Sequence, residues 1–422
     1  MLHVVKVTCT GLLVFVFALA AVPARAQDPQ ADLRAQIEQL RQQLQALQEK
    51  VTQLEAAAGQ RPAAGAEPAQ PPATPPQPAV AAPQPAPPEP VQTPPGGGAP
   101  LTSKVFNPDM AVIGNFIGAA GNNSIDPMPA LKLNEAEVSF QAVVDPYARA
   151  DFFLSASPEG LEVEEGFVTF PTLPGGVLMK VGKMKAQFGK VNTMHGHVLP
   201  WVDEPLAMRN LLGGDEGLND SGISISKLIV NPVLFLEATG EIYDGENDVF
   251  KSYKRSDLTY VGRVRGYRDV TESTNLDVGT SFAYGHNDAD PEATTKLYGV
   301  DATFRYRPLQ QSLYKRALLR TELFWSHRQQ PIGDAKAFGA YVSGEYQLTR
   351  RLFGGARYDW SERAYDASLK DNGGSVLLTF WPSEFSQIRG QYRRNRYAEG
   401  VTANEFLFQF LFSIGAHGAH VF

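Results

Sequence analysis

The chain has 422 residues, 43% hydrophobic and 20% charged, with 38 basic and 45 acidic side chains and a formal net charge of −7. That acidic balance argues against a nucleic-acid partner, which calls for a basic face. The lone cysteine, Cys9, excludes a disulfide scaffold and a cysteine metal site.

Residues 1–26 read as a secretory signal peptide. Lys6 gives the positive start, Leu12 to Val22 form a short apolar core, and Ala24-Arg25-Ala26 is a small-x-small cleavage site. Export removes Cys9, Lys6 and Arg25, which takes the net charge to −9. No later stretch reaches the roughly 18 continuous apolar residues of a membrane helix. Such a chain is expected to remain in the periplasm or to insert as a barrel.

Residues 27–58 carry Leu33, Ile37, Leu40, Leu44, Leu47, Val51 and Leu54 at alternating spacings of 4 and 3. This is a heptad seam, and a single helix this short is marginal in water without a partner. An oligomerisation helix is expected. Ile37 and Val51 at a-positions favour two strands, and Leu44 weakens that preference. Residues 59–104 hold fifteen of the thirty-one prolines and have almost nothing to bury, so they read as a disordered linker.

From residue 105 to 422 the pattern becomes an all-β one, with about sixteen strands in a transmembrane antiparallel barrel. Starts are expected near 110, 131, 147, 161, 177, 222, 233, 258, 274, 297, 316, 337, 352, 374, 385 and 404. Glu135, Glu137, Ser139 and Gln141 alternate with Ala136, Val138, Phe140 and Ala142. In the closing strand Phe406, Phe408, Phe410, Phe412 and Ile414 oppose Glu405, Gln409 and Ser413. A period of two places one row against an apolar medium and the other against a polar one. Phe422, in phase with the apolar row, is the expected assembly signal for the barrel-assembly machinery. Turns after even-numbered strands are expected to be short, and those after odd-numbered strands longer.

The longest connection, 186–221, is expected to fold inward and narrow the lumen, since long irregular stretches in compact domains are usually functional. Its chemistry-bearing residues are His195, His197, Trp201, Asp203, Glu204, Arg209, Asp215 and Glu216. His195-Gly-His197, with Asp203 and Glu204 beyond, offers metal donors, yet no further ligand follows at a fixed spacing. No metal and no cofactor are expected. No Gly-x-Ser-x-Gly elbow occurs, so no enzyme is expected either.

The signal, heptad helix, proline-rich spacer and sixteen strands together resemble the phosphate-selective porin O and P family. Lys180-Val-Gly182-Lys183-Met-Lys185-Ala-Gln187-Phe188-Gly189-Lys190 is similar to that family's Gly-Lys…Phe-Gly motif. The resemblance implies a homotrimer in the outer membrane of a Gram-negative bacterium, with the third loop inside the channel and the coiled coil in the periplasm. It implies basic side chains along the anion path. The inward register supplies Arg149, Arg263, Arg265, Arg305, Arg307, Arg320, Arg357, Arg389 and Arg393, and Lys183, Lys185 and Arg209 are expected to line the pore with them. The same register carries Glu135, Glu137, Asp151, Asp277, Asp301, Glu322, Glu345, Asp359 and Glu405, so cross-strand ion pairs are the rival reading. The expected function is diffusion of small hydrophilic solutes, with anion or phosphate preference open. A divalent-metal channel, or a barrel that tethers the envelope to a periplasmic or cell-wall partner through the coiled coil, is the alternative.

Overall fold

The computed structural model describes residues 108–157 and 160–415. The signal, the heptad seam, the linker and Phe422 lie outside the described residues.

Sixteen antiparallel strands close on themselves, each bonded to its chain neighbours and the first to the last. They are β1 (Asp109–Asn122), β2 (Lys132–Asp145), β3 (Ala148–Ser157), β4 (Gly160–Leu173), β5 (Val177–Lys185) and β6 (Asn219–Leu228). Next come β7 (Phe235–Tyr243), β8 (Thr259–Thr271), β9 (Thr274–Asn287), β10 (Asp290–Tyr306) and β11 (Ala317–Gln329). The circle ends with β12 (Asp334–Gln347), β13 (Leu352–Arg363), β14 (Asp366–Ser383), β15 (Ser386–Arg396) and β16 (Thr402–Gly415). Closure pairs Val112 with Ile414 and Phe116 with Phe410, which leaves no free edge among these strands.

The two-residue period holds around the circle. On β16 Phe406 and Ile414 are 54% and 63% exposed, while Glu405 and Gln409 are buried inside. Outward rows of Val, Leu, Phe and Tyr suit a lipid surface, and inward rows of Asp, Glu, Arg, Ser and Thr suit a wet interior. The interior also takes Leu407 and Leu411, so the inward register is not uniformly polar.

The turn lengths alternate less cleanly than expected. Two-residue turns follow β9 and β13, and a ten-residue connection, 307–316, follows β10. For the two short turns the reason is strand length. β10 runs for 17 residues and β14 for 18, starting at 290 and 366 rather than near 297 and 374. A bilayer needs only about 9–11 tilted residues, so residues that read as loops continue the hairpins beyond it.

One glycine of the Lys180–Lys190 segment is fixed by close approach. Gly182 on β5 has φ of 143°, and a Cβ there would meet the Gly166 carbonyl oxygen at 2.1 Å. Gly182→Ala is expected to destabilise the barrel by about 1–3 kcal/mol through backbone strain alone. Unheated-gel mobility across a temperature series measures this. A wild-type midpoint would mean that β4 simply moves away.

Candidate functional site

Residues 186–218 leave β5, cross the barrel interior and return at β6. Asn192 ties the two ends together. Its Nδ2 donates to the carbonyls of Ala186 (2.9 Å) and Leu218 (3.1 Å), and its Oδ1 accepts from the Leu218 N–H at 2.8 Å. The loop is not irregular throughout. It holds single-turn helices at Val191–Thr193, Gly196–Val198 and Gly214–Glu216, and a short α-helix, α1 (Leu206–Leu211). Leu206, Ala207, Met208 and Leu211 of α1 are all buried. Ala207 and Met208 lie four and three residues before Leu211, so the three share a face, and Leu206 widens the buried surface of this short helix. Trp201, 1% exposed, meets Tyr341 edge-on at 5.3 Å, with the Arg357 guanidinium 4.8 Å from its ring. The loop is thus a plug of core-like packing within a polar barrel.

Three sets of charges hold it. Glu322 of β11 cups the first turn, accepting the N–H groups of Lys190 (2.8 Å) and Val191 (3.0 Å), and Tyr341 donates its hydroxyl to the same carboxylate at 2.6 Å. Gly189 has φ of 64°, and a Cβ there would strike Glu322 Oε2 at 2.3 Å. The Phe-Gly-Lys end of the motif is therefore what lets the backbone reach that carboxylate.

The second set faces β13 and β15. Asp203 accepts from Arg357 (3.1 Å), Arg393 (3.0 Å) and Gln391. Arg389 donates to the carbonyls of Leu199 (2.8 Å) and Trp201 (3.1 Å). Burial would raise the Asp203 carboxyl, but Arg357 and Arg393 hold it down at about 2.

The third set faces β2 and β4. His195 Nδ1 lies 2.8 Å from Glu137 and 3.2 Å from Glu164, and its Nε2 lies 2.9 Å from Glu165. His197 Nδ1 is 3.1 Å from Glu135 and 3.5 Å from Glu137. Burial would lower His195, but hydrogen bonds to Glu137, Glu164 and Glu165 overwhelm it and push the imidazole up to about 12. Glu164 and Glu165 are adjacent in a strand, yet both point inward. Pairing passes from Phe153–Glu165 to Leu154–Val163, so Glu164 is the extra residue of a β-bulge.

The predicted lining cations thus fall into separate groups. Arg263 is taken up by the Gly189 carbonyl and by Asp301, Arg357 by Asp203 and Asp359, and Arg393 by Asp203 and Glu405. Arg265 and Arg305 share Asp277 at 2.7 and 3.8 Å. Lys183 pairs with Glu162, Lys185 with Glu164, and Arg209 with Asp126. Of the predicted loop residues, Glu204 gives its carbonyl to Arg357, Glu216 accepts from Asn219, and Asp215 stands in the last single-turn helix.

Beneath the loop, toward the chain-terminal end of the barrel, a cavity of about 510 Å³ is lined by Lys190, Arg305, Arg307, Arg316, Arg320 and Arg389, with Glu137 and Glu345. Arg320 is buried, and its Nε and Nη1 find no hydrogen-bond partner. Burial, with the neighbouring Arg265, Arg305 and Arg320, brings Lys190 down to about 8 against the pull of Asp277. Arg316, Glu164 and Glu165 were missed from the sequence. The doubled Glu in an alternating strand was the available signal for the last two.

The chain is 30% identical over 391 aligned residues to an uncharacterized protein of Aquifex aeolicus (strain VF5), across 77% of this chain and 82% of that one. It belongs to that protein's family. No protein-family model matches. Among solved structures, the barrel is similar to the anion-selective porin from Comamonas acidovorans, at 12% identity and a TM-score of 0.52, covering 73% of this chain and 99% of that one. It is equally similar to a loop L8 deletion mutant of OmpT, an outer membrane protein of Vibrio cholerae, at 12% identity and a TM-score of 0.51, with the same coverage. These likenesses establish the fold, a sixteen-stranded barrel of the outer-membrane porin type.

Asp203→Ala removes the one carboxylate shared by Arg357 and Arg393. Breaking a buried pair costs about 3–5 kcal/mol, so the loop is expected to unseat and the Arg209 bond to become cleavable by trypsin in the detergent-folded barrel. Protease resistance equal to wild type would show that Asp203 is not the clasp.

Proposed function

We propose that this chain is an outer-membrane porin through which small hydrophilic solutes diffuse, with anions preferred. The observation that carries the preference is Arg320, a buried guanidinium with two unpartnered donors on a cavity that also holds Lys190, Arg307 and Arg316. Unmet buried donors are costly, and a passing anion relieves that cost where a cation adds to it. Phosphate preference within this reading rests on the Lys180–Lys190 segment and on the suitability of guanidinium for oxyanions. A homotrimer held by the heptad helix, with that helix in the periplasm, belongs to the same proposal.

Planar-bilayer recording of the purified protein tests the reading. Discrete steps and an anion-selective reversal potential in a KCl gradient are expected; a cation-selective potential, or no steps, would sink it. A unit positive charge about 10 Å from an ion's path favours an anion and disfavours a cation by about 0.4 kcal/mol each in water, so Arg320→Ala is expected to lower the anion-to-cation permeability ratio roughly four-fold.

Lys190 adds a pH dependence. A lysine is cationic below its pKa, and this one is lowered to about 8. The anion preference is therefore expected to be full near pH 6 and to decline through pH 8, well below the ordinary lysine range of about 10.4. Lys190→Met should flatten the decline. An unchanged profile in that variant would assign the titration to another group.

A further inference from the structure

The β2–β4 side of the loop carries more donors than anchoring requires. Glu137, His195 and His197 place one ligand atom each within 4.8 Å of one another. Glu135 and Glu164 stand at 3.1 and 3.2 Å from the two imidazoles, and Lys185 is the ammonium seated among them, 3.3 Å from Glu164. Donors around a first-row divalent ion sit roughly 3.3 Å apart when each lies about 2.0–2.1 Å from a tetrahedral centre. The His195 Nδ1–Glu137 and His197 Nδ1–Glu137 separations, 2.8 and 3.5 Å, bracket that value.

Two further observations point the same way. The bulge in β4 turns Glu165 inward, where it accepts the Lys185 N–H at 2.7 Å and sits 2.9 Å from His195 Nε2. A carboxylate that fixes the far nitrogen of an imidazole, and is itself fixed by backbone, is the outer support found behind metal-binding histidines. Glu137, His195 and His197 also line the 510 Å³ cavity, which gives an ion a way in.

We infer that Glu137, His195 and His197 bind a divalent transition cation, with Glu135 or Glu164 completing the set and Glu165 orienting His195. Mixed imidazole and carboxylate donors select zinc, cobalt or nickel over calcium and magnesium. The ion takes the place of the proton that Nδ1 of His195 shares with Glu137. It bridges the constriction loop to the wall, a resident clasp rather than a transported solute.

The test uses untagged full-length protein, folded in detergent, stripped with chelator and titrated calorimetrically with Zn²⁺. Saturable uptake of about one ion per chain is expected, with Co²⁺ giving visible bands of nitrogen–oxygen coordination. His195→Gln with His197→Gln should abolish both. Glu165→Gln, which touches no ligand position and preserves shape, should weaken binding roughly 10–100-fold, and gives the answer if the double variant fails to fold. No saturable uptake by the wild type, or equal uptake by folded Glu165→Gln, overturns the inference. Ca²⁺ binding as tightly as Zn²⁺ also overturns it. The reading is separable from conduction: a conducting barrel that takes up no zinc sinks only the metal site, and a zinc-binding barrel that conducts nothing sinks only the porin.

Discussion

A segment of thirty-three residues can lie inside a barrel only if the wall answers its backbone and its charges. Unpaired polar groups in a poorly solvated interior cost free energy whichever side they come from. The wall here answers group by group. Glu322 takes the N–H groups of the first turn, and Arg389 takes the carbonyls of Leu199 and Trp201. Asn192 closes the neck. Within that polar frame Phe188, Trp201, Leu211 and Leu212 form part of a small apolar core shared with wall residues such as Phe324 and Tyr341.

Charge order along the loop sets how it lies. The imidazoles of His195 and His197 come first and meet four carboxylates on β2 and β4. Asp203 comes later and meets two guanidinia on β13 and β15. Reversing the loop would set acid against acid and base against base. Buried ion pairs contribute little net stability once desolvation is counted, but a wrong pairing is strongly penalised. Their effect here is to exclude other placements of the loop.

The barrel was largely legible because its cause is local. Alternation alone assigns Glu405 and Gln409 inward and Phe406 and Ile414 outward, and the described strands follow it. Strand starts were less legible where hairpins run longer than a bilayer requires, since nothing in the 290–297 stretch marks where the longer strand begins. The loop could be found by its length, but its helix α1 is short and lacks a side-chain cap that would announce it. The partners of each charge could not be read at all. Arg357 and Asp203 are 154 residues apart, and only closure of the circle brings them to 3.1 Å. The bulge at Glu164 shows the same limit: two adjacent glutamates look like one inward and one outward residue until the partner strand slips by one.

That limit changes what a row of arginines means. Counted in sequence, the inward bases and acids nearly cancel, and the row reads equally well as a filter or as ladders of ion pairs. In the folded barrel the cancellation is local and uneven. Arg263, Arg357 and Arg393 are spent on carboxylates and on the loop, where their fields are neutralised within a few ångströms. The acids are spent with them: Asp203, Asp301 and Glu405 each face a guanidinium at contact distance. What remains facing open space beneath the loop is weighted toward cations, with Arg307, Arg316 and Arg320 against Glu345, while Lys190 keeps Asp277 at 3.7 Å and Glu137 keeps His195 at 2.8 Å. A charge paired at 3 Å acts on a distant ion as a dipole, whereas an unpaired one acts as a full charge with a longer reach. The field in the lumen is therefore decided by the few side chains the loop leaves unanswered, not by the total that the strands carry.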